Sequence, residues 1–170
     1  MGIIVQKFGG TSVADTDKIK NVASAVIREK KNGNDVIVVV SAMGHTTDYL
    51  VKMARDITSC PNSREMDMLL ATGEQVSIAL LTMAIQAQGY AAVSMNAMQV
   101  GIITECVHSK ARIVDIKTNK LKEHLDKGEI IVVAGFQGVT PDGEITTLGR
   151  GGSDTSAVAI AGAMNADRCD

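Results

Sequence analysis

The chain has 170 residues, 45% hydrophobic and 21% charged, enough for one domain with a sizeable core. Its net charge of −2, its scattered Lys and Arg, and an aromatic set of only two Phe and two Tyr argue against nucleic-acid partners. Apolar runs such as residues 36–40 fall short of a membrane span, the N-terminus lacks a signal-peptide pattern, and Cys60, Cys106, Cys169, His45, His108 and His124 share no metal-ligand spacing; a cytoplasmic protein with reduced thiols, no zinc and no membrane partner is expected.

Residues 3–8 predict a buried strand. Asp15 or Thr16 caps the following helix, whose apolar face is Ile19, Val22, Ala23, Val26 and Ile27, and Asn32-Gly33-Asn34 ends it. Residues 36–40 are apolar on both faces and predict a central parallel strand. The loop Ser41-Ala42-Met43-Gly44-His45-Thr46-Thr47 leads into a helix with Leu50, Val51, Ala54 and Ile57 on one face, and Pro61 breaks the chain. Residues 66–88 have helical period with an interruption expected at Thr72-Gly73-Glu74; Met66, Met68 and Met83 are expected to fill core. Short strands are expected at 91–95 and around Ile102-Ile103, then a helix at 117–126 closed by Gly128. Residues 130–133 form another apolar strand, ending in Ala134-Gly135-Phe136-Gln137-Gly138. Pro141-Asp142-Gly143, between Val139 and Ile145, signals a hairpin. A helix at 153–164 and the start of a strand at Arg168-Cys169-Asp170 follow. This alternation implies an α/β fold, a three-layer αβα sandwich with a mainly parallel sheet. Ligands bind such sheets at the C-terminal ends of the strands, where Lys7, Ser41, the Gly135-Phe136 turn and the Arg150 loop all fall.

Two glycine-rich signatures carry the chemistry. Lys7-Phe8-Gly9-Gly10-Thr11-Ser12 follows the first strand, and Thr146-Thr147-Leu148-Gly149-Arg150-Gly151-Gly152-Ser153-Asp154 precedes an Ala-rich helix. Each has the strand, glycine turn and helix order that aims backbone N–H groups at an anion, and together they suit a multiply anionic substrate pair. Neither GxxxxGK[ST] nor GxGxxG occurs, which removes the P-loop and dinucleotide readings. By itself the first signature fits either a phosphate turn or a tight strand-to-helix turn with a snorkelling lysine. In the second, Arg150 offers a fork for a carboxylate, and Asp154 has the ordinary role of a helix N-cap open to it. Glu74 reads as a ligand or as a surface residue that breaks a helix. His45 is expected to face solvent.

Lys7-Phe8-Gly9-Gly10-Thr11-Ser12-Val13, Ser41-Ala42-Met43-Gly44, Thr72-Gly73-Glu74 and Leu148-Gly149-Arg150-Gly151-Gly152-Ser153-Asp154 together resemble the aspartate kinases of the amino acid kinase family, in the right order and over the whole chain. The resemblance implies transfer of the γ-phosphoryl group of ATP, carrying Mg²⁺, to the β-carboxylate of L-aspartate, in the synthesis of lysine, threonine and methionine. It implies that Lys7 and Asp154 are catalytic. Lys7, Phe8, Gly9, Gly10 and Ser41 would bind ATP phosphates, while Thr47, Glu74, Arg150, Gly151, Gly152 and Ser153 would hold aspartate. No metal site is implied beyond the nucleotide's Mg²⁺, and a homo-oligomer is expected. The nucleophile, a carboxylate with an ordinary pKa near 3.9, is ionised at neutral pH and needs no general base.

Against that family the chain reads as the N-terminal part of a catalytic domain. The segment for adenine and ribose, a further phosphate-facing lysine and the regulatory ACT domains lie beyond it, and low turnover of the isolated chain is the corresponding expectation. Two other readings stand beside the kinase: an inactive amino-acid-binding or oligomerisation module, and a kinase for another small carboxylate such as N-acetylglutamate.

Overall fold

Val36, Val38 and Val40 face one side of their strand, Ile37 and Val39 the other, and all five are fully buried. A strand apolar on both faces needs a layer on each, and the computed structural model, which describes residues 2–170, supplies both. The strands are β1 (Ile3–Phe8), β2 (Asp35–Val40), β3 (Ala92–Met95), β4 (Ile102–Thr104), β5 (Ile113–Ile116), β6 (Ile130–Ala134), β7 (Gln137–Val139), β8 (Ile145–Thr147) and β9 (Arg168–Cys169). The helices are α1 (Thr16–Lys31), α2 (Thr46–Ile57), α3 (Ser63–Gln86), α4 (Ala97–Val100), α5 (Asn119–Asp126) and α6 (Gly152–Met164). One sheet, in the order β3-β6-β2-β1-β9, is parallel throughout. Helices α1 and α3 cover one face with Val26, Ile27, Ile78, Leu81 and Ile85, and α4, α5 and α6 cover the other with Val100, Leu121, Leu125, Ile160 and Met164. The expected three-layer αβα sandwich is therefore present.

A second sheet, in the order β5-β4-β7-β8, was not foreseen as a unit. The Pro141-Asp142-Gly143 hairpin joins β7 to β8 as expected, and β4 runs parallel to β7 and antiparallel to β5. Strand β5 escaped the pattern because it is a short edge strand, with Val114 and Asp115 exposed and Ile113 and Ile116 only half-buried. The single-turn α4 escaped for its brevity, although Asn96 and Gln99 close a reciprocal capping box around it.

Helix α3 departs most from expectation. It starts at Ser63, capped by the Asn62 side chain, and runs unbroken through Thr72-Gly73-Glu74. Gly73 is there for proximity: a Cβ on it would lie 2.9 Å from the Cβ of Ala42. Met68 and Met83 face solvent beside Val76, and Met66 is half-buried, so these methionines are not the core filler expected. By length and composition α3 is apolar enough to cross a membrane, unlike the shorter runs weighed in the sequence. Here its buried face packs on α1, α2 and both sheets.

Replacing Gly73 with Ala separates local preference from packing. In a free helix the change is worth about 1 kcal/mol in favour of Ala; against Ala42 the added methyl has no room, and a net loss of roughly 1–2 kcal/mol is expected. Urea denaturation of Gly73→Ala measures it, and a midpoint at or above wild type would refute the steric account.

Candidate functional site

Strands β1, β2 and β6 finish at one level, with Phe8 opposite Val40 and Val40 opposite Ala134. The ladder continues one step into the loops, where Ser41 N–H donates to Phe8 O (3.1 Å) and Gly135 N–H to Val40 O (3.0 Å). The turn after β1 then folds against the loop after β2. A Cβ on Gly10 would sit 2.8 Å from Ala42 O, so this approach requires glycine. Gly44 N–H closes the contact by donating to Gly10 O (2.9 Å).

The second signature meets the first here. Lys7 Nζ lies 2.8 Å from Asp154 Oδ1, and Ser41 Oγ donates to Ser153 Oγ at 3.0 Å. Helix α6 begins one residue earlier than expected, at Gly152, and Gly151 occupies the N-cap position with no side-chain cap. Asp154 is thus not the cap; its carboxylate, in the first turn, pairs with Lys7 instead.

An open cavity of about 560 Å³ occupies this edge of the sheet. Lys7, Gly10, Ser41, Thr47 and Glu74 line it from one side of the sequence, and Gly151, Gly152, Ser153 and Asp154 from the other, with Arg150 exposed at its rim. Two predicted residues do not line it. Phe8 packs against the core under α1 and α3, and Gly9 lies in the turn, a Cβ there falling 3.4 Å from Lys7 Nζ. His45 faces solvent as expected, its side chain 96% exposed. Thr47 and Ser153 stand in the first turns of α2 and α6, so two helix N-termini border the cavity and favour anions there. Among the described residues no group of three His, Cys, Asp or Glu side chains is placed to hold a metal ion.

Glu74 is the unusual member. It is 2% exposed, inside the helix rather than on the surface where a helix-breaker would stand. Its Oε1 accepts the Ala42 N–H (3.2 Å), while its buried Oε2 has no hydrogen-bond partner. Burial pushes its carboxyl up from 4.5 to about 7, against the weaker pull of the backbone N–H groups of Glu74 and Ala42 and of the Gln137 side-chain amide, whose Nε2 donates in the structure to Ala71 O (3.0 Å). An unpaired oxygen on a buried acid at a cavity wall is a place for a cationic donor from a ligand.

Ala42, Val51, Phe136 and Gly149 also line the cavity and were not among the predicted site residues. Phe136 had one sequence signal, the glycine before it. Its φ of 72° is uncommon for a bulky residue, and the conformation is held by Ser156 Oγ, which accepts its N–H (3.1 Å), and by Leu148 N–H, which donates to its carbonyl (2.8 Å).

A parallel αβα sheet with cations, helix N-termini and a buried acid at its carboxyl edge forms a cleft of the kind that accepts small anionic or zwitterionic ligands. The chain belongs to the amino acid kinase family, whose sequence profile it matches over residues 2–170. It is 62% identical over 170 residues to the aspartokinase of Geobacillus stearothermophilus, covering 100% of this chain and 42% of that one. The aspartate kinase of Synechocystis superposes with a TM-score of 0.83 at 53% identity, over 98% of this chain and 27% of that one. Escherichia coli aspartokinase III, solved with aspartate and ADP, superposes with a TM-score of 0.87 at 25% identity, over 99% of this chain and 48% of the other. The chain spans about two fifths of the length of the curated relatives it matches.

The sign of the Glu74 shift sets a stability prediction. Its proton is bound more tightly in the folded chain, so its contribution is full below about pH 4.5 and is lost as the pH rises to about 7. Above that, the ionised carboxylate costs up to about 3 kcal/mol. Glu74→Gln is expected to melt above wild type at about pH 8 and to lose that advantage below about pH 5. Equal differences at both pH values in thermal denaturation would show that Glu74 is not strained by burial.

Proposed function

We propose that this chain carries the aspartate side, and part of the phosphate side, of an ATP-dependent aspartate kinase that makes 4-phospho-L-aspartate. The observation that carries the reading is the cavity shared by the Lys7–Asp154 pair, Arg150 and the half-satisfied Glu74. A free amino acid needs a cation for its α-carboxylate and an anion for its ammonium. Arg150 meets the first in bidentate fashion and Glu74 Oε2 the second, with Thr47, Gly151, Gly152 and Ser153 completing the aspartate pocket. An N-acetylated substrate has no ammonium for Glu74, so the buried oxygen favours a free amino acid over N-acetylglutamate.

Lys7 would sit against the transferring phosphoryl group, with the turn at Phe8, Gly9 and Gly10 and the Ser41 hydroxyl cradling phosphate oxygens. Asp154 would hold the Lys7 ammonium in place. This donor-rich edge fits phosphates that bring their own metal, and Mg²⁺ on the nucleotide supplies neutralising charge there. The substrate carboxylate is ionised at neutral pH, so the work left to the protein is alignment and charge neutralisation. No proton has to be moved. Support comes from the match to aspartokinases over the whole of this chain and from the aspartate and ADP bound in the Escherichia coli relative.

Trapping of acyl phosphate as hydroxamate by a complete enzyme that contains this chain tests the activity directly, with aspartate, N-acetylglutamate and glutamate compared. Aspartate binding in calorimetry with no hydroxamate from that complete enzyme would support a binding module instead. Arg150→Ala is expected to weaken aspartate binding at least tenfold, about 1.4 kcal/mol. In a complete enzyme, Lys7→Ala is expected to lower turnover by roughly a hundredfold with little change in the KM for aspartate. The reverse pattern, turnover kept and affinity lost, would assign Lys7 to substrate binding.

A further inference from the structure

Asp67 is fully buried in the second turn of α3, outside the cavity lining, yet its carboxylate gathers three donors from far along the chain. Thr147 Oγ1 donates to Oδ1 at 2.7 Å, and the Ser109 N–H reaches both oxygens at 3.1 and 3.0 Å. His108 Nδ1 stands 2.8 Å from Oδ2. A buried carboxylate is costly unless saturated in this way, and removing its charge loosens everything it holds.

What it holds is the approach to Arg150. Thr147 is the last residue of β8, and Leu148-Gly149-Arg150-Gly151 follow it. The Arg150 loop has little conformational preference of its own, with φ of 81° at Gly149 and 71° at Gly151, so its position comes from what flanks it. On one side, Ser109 O lies 3.3 Å from the Cβ position of Gly149, and Ala111 N–H donates to Thr147 O (3.0 Å). Ser109 has a φ of 68°, a left-handed conformation that is uncommon for a serine and is pinned by its N–H bond to Asp67. Asp67 therefore fixes both the strand end that leads into the loop and the segment that walls it.

The spacing supplies the purpose. Asp67 and Glu74 are seven residues apart on one uninterrupted helix, two turns and about 10 Å along the same face. We infer that Asp67 is a positioning residue for the aspartate site, and that α3 is its ruler. Glu74 takes the ammonium directly, and Asp67, through Thr147 and Ser109, sets the distance at which Arg150 meets the α-carboxylate. This rests on the aspartate reading above for the ligand, while the clamp on residues 147–150 is independent of it.

The test uses the 170-residue chain in two measurements. In hydrogen exchange without ligand, Asp67→Asn is expected to speed exchange of amides 148–152 by about tenfold or more and to leave β1 and β2 unchanged. In calorimetry, Asp67→Asn is expected to weaken aspartate roughly tenfold. The double variant with Arg150→Ala is expected to bind no worse than Arg150→Ala alone, because both changes remove the same contact. Unchanged exchange in the 148–152 loop, aspartate affinity kept within about twofold, or effects that multiply in the double variant would each overturn the inference. If Asp67→Asn fails to fold, Thr147→Val removes one donor at constant shape and is expected to weaken aspartate about threefold only while Arg150 is present; no change overturns the inference. Faster loop exchange with no aspartate binding by wild type would support the clamp and count against the aspartate reading alone.

Discussion

The parallel hydrogen-bond ladder of β1, β2 and β6 is the constraint on which the site depends. Because Phe8, Val40 and Ala134 are in register, the loops that follow start side by side and are drawn together by one further rung at Ser41 and Gly135. A shift by one residue would exchange the two buried faces of β2, turning Val36, Val38 and Val40 toward α5 and α6 and Ile37 and Val39 toward α1 and α3. Both layers hold the register, and the register places Lys7, Ser41 and the Gly135-Phe136 turn around one cavity. The chemistry at the edge is a consequence of packing in the middle.

Against this sheet, α3 carries two buried acids in opposite conditions. Asp67 is saturated by donors from three residues, whereas Glu74 has one oxygen bonded to Ala42 and the other bonded to nothing. Saturation suits a group that fixes other parts of the protein. An unmet oxygen, held by a fold stable enough to bear its cost, suits a group that waits for a ligand. Both lie on one rigid helix, so the cost of the second is borne by the same element that the first ties to β8 and to residues 108–109.

Much of this was legible in the sequence wherever burial alone dictates the pattern. The β-branched runs of β2 and β6 and the 3.6-residue period of α1 needed no tertiary information, and Asp15 capped α1 as its position suggested. The two glycine signatures also pointed to one sheet edge. The failures have a common cause in contacts between residues distant in sequence. Gly73 looked like a break because its reason for being glycine is Ala42, 31 positions earlier. Glu74 by its own pattern stayed open between ligand and surface residue, because acids inside helices are mostly exposed; only the resemblance put it in the site, where it lines the cavity. Asp67 gave no local sign at all, since its partners lie 41, 42 and 80 residues away. The exposed Met68 and Met83 followed the helical period but lay on its outer side.

The Lys7–Asp154 contact shows why geometry outweighs energy at this site. With side chains 27% and 69% exposed, the pair contributes at most about 1 kcal/mol to stability, and less at high salt. Its use is positional: it ties the end of β1 to the first turn of α6 across the cavity. Held by Asp154 at the start of α6, the Lys7 ammonium stays near the helix N-terminus, where an anion is already favoured. The cavity is thus lined both by a lysine that already has its partner and by a buried acid with one oxygen unmet, and neither satisfies the other.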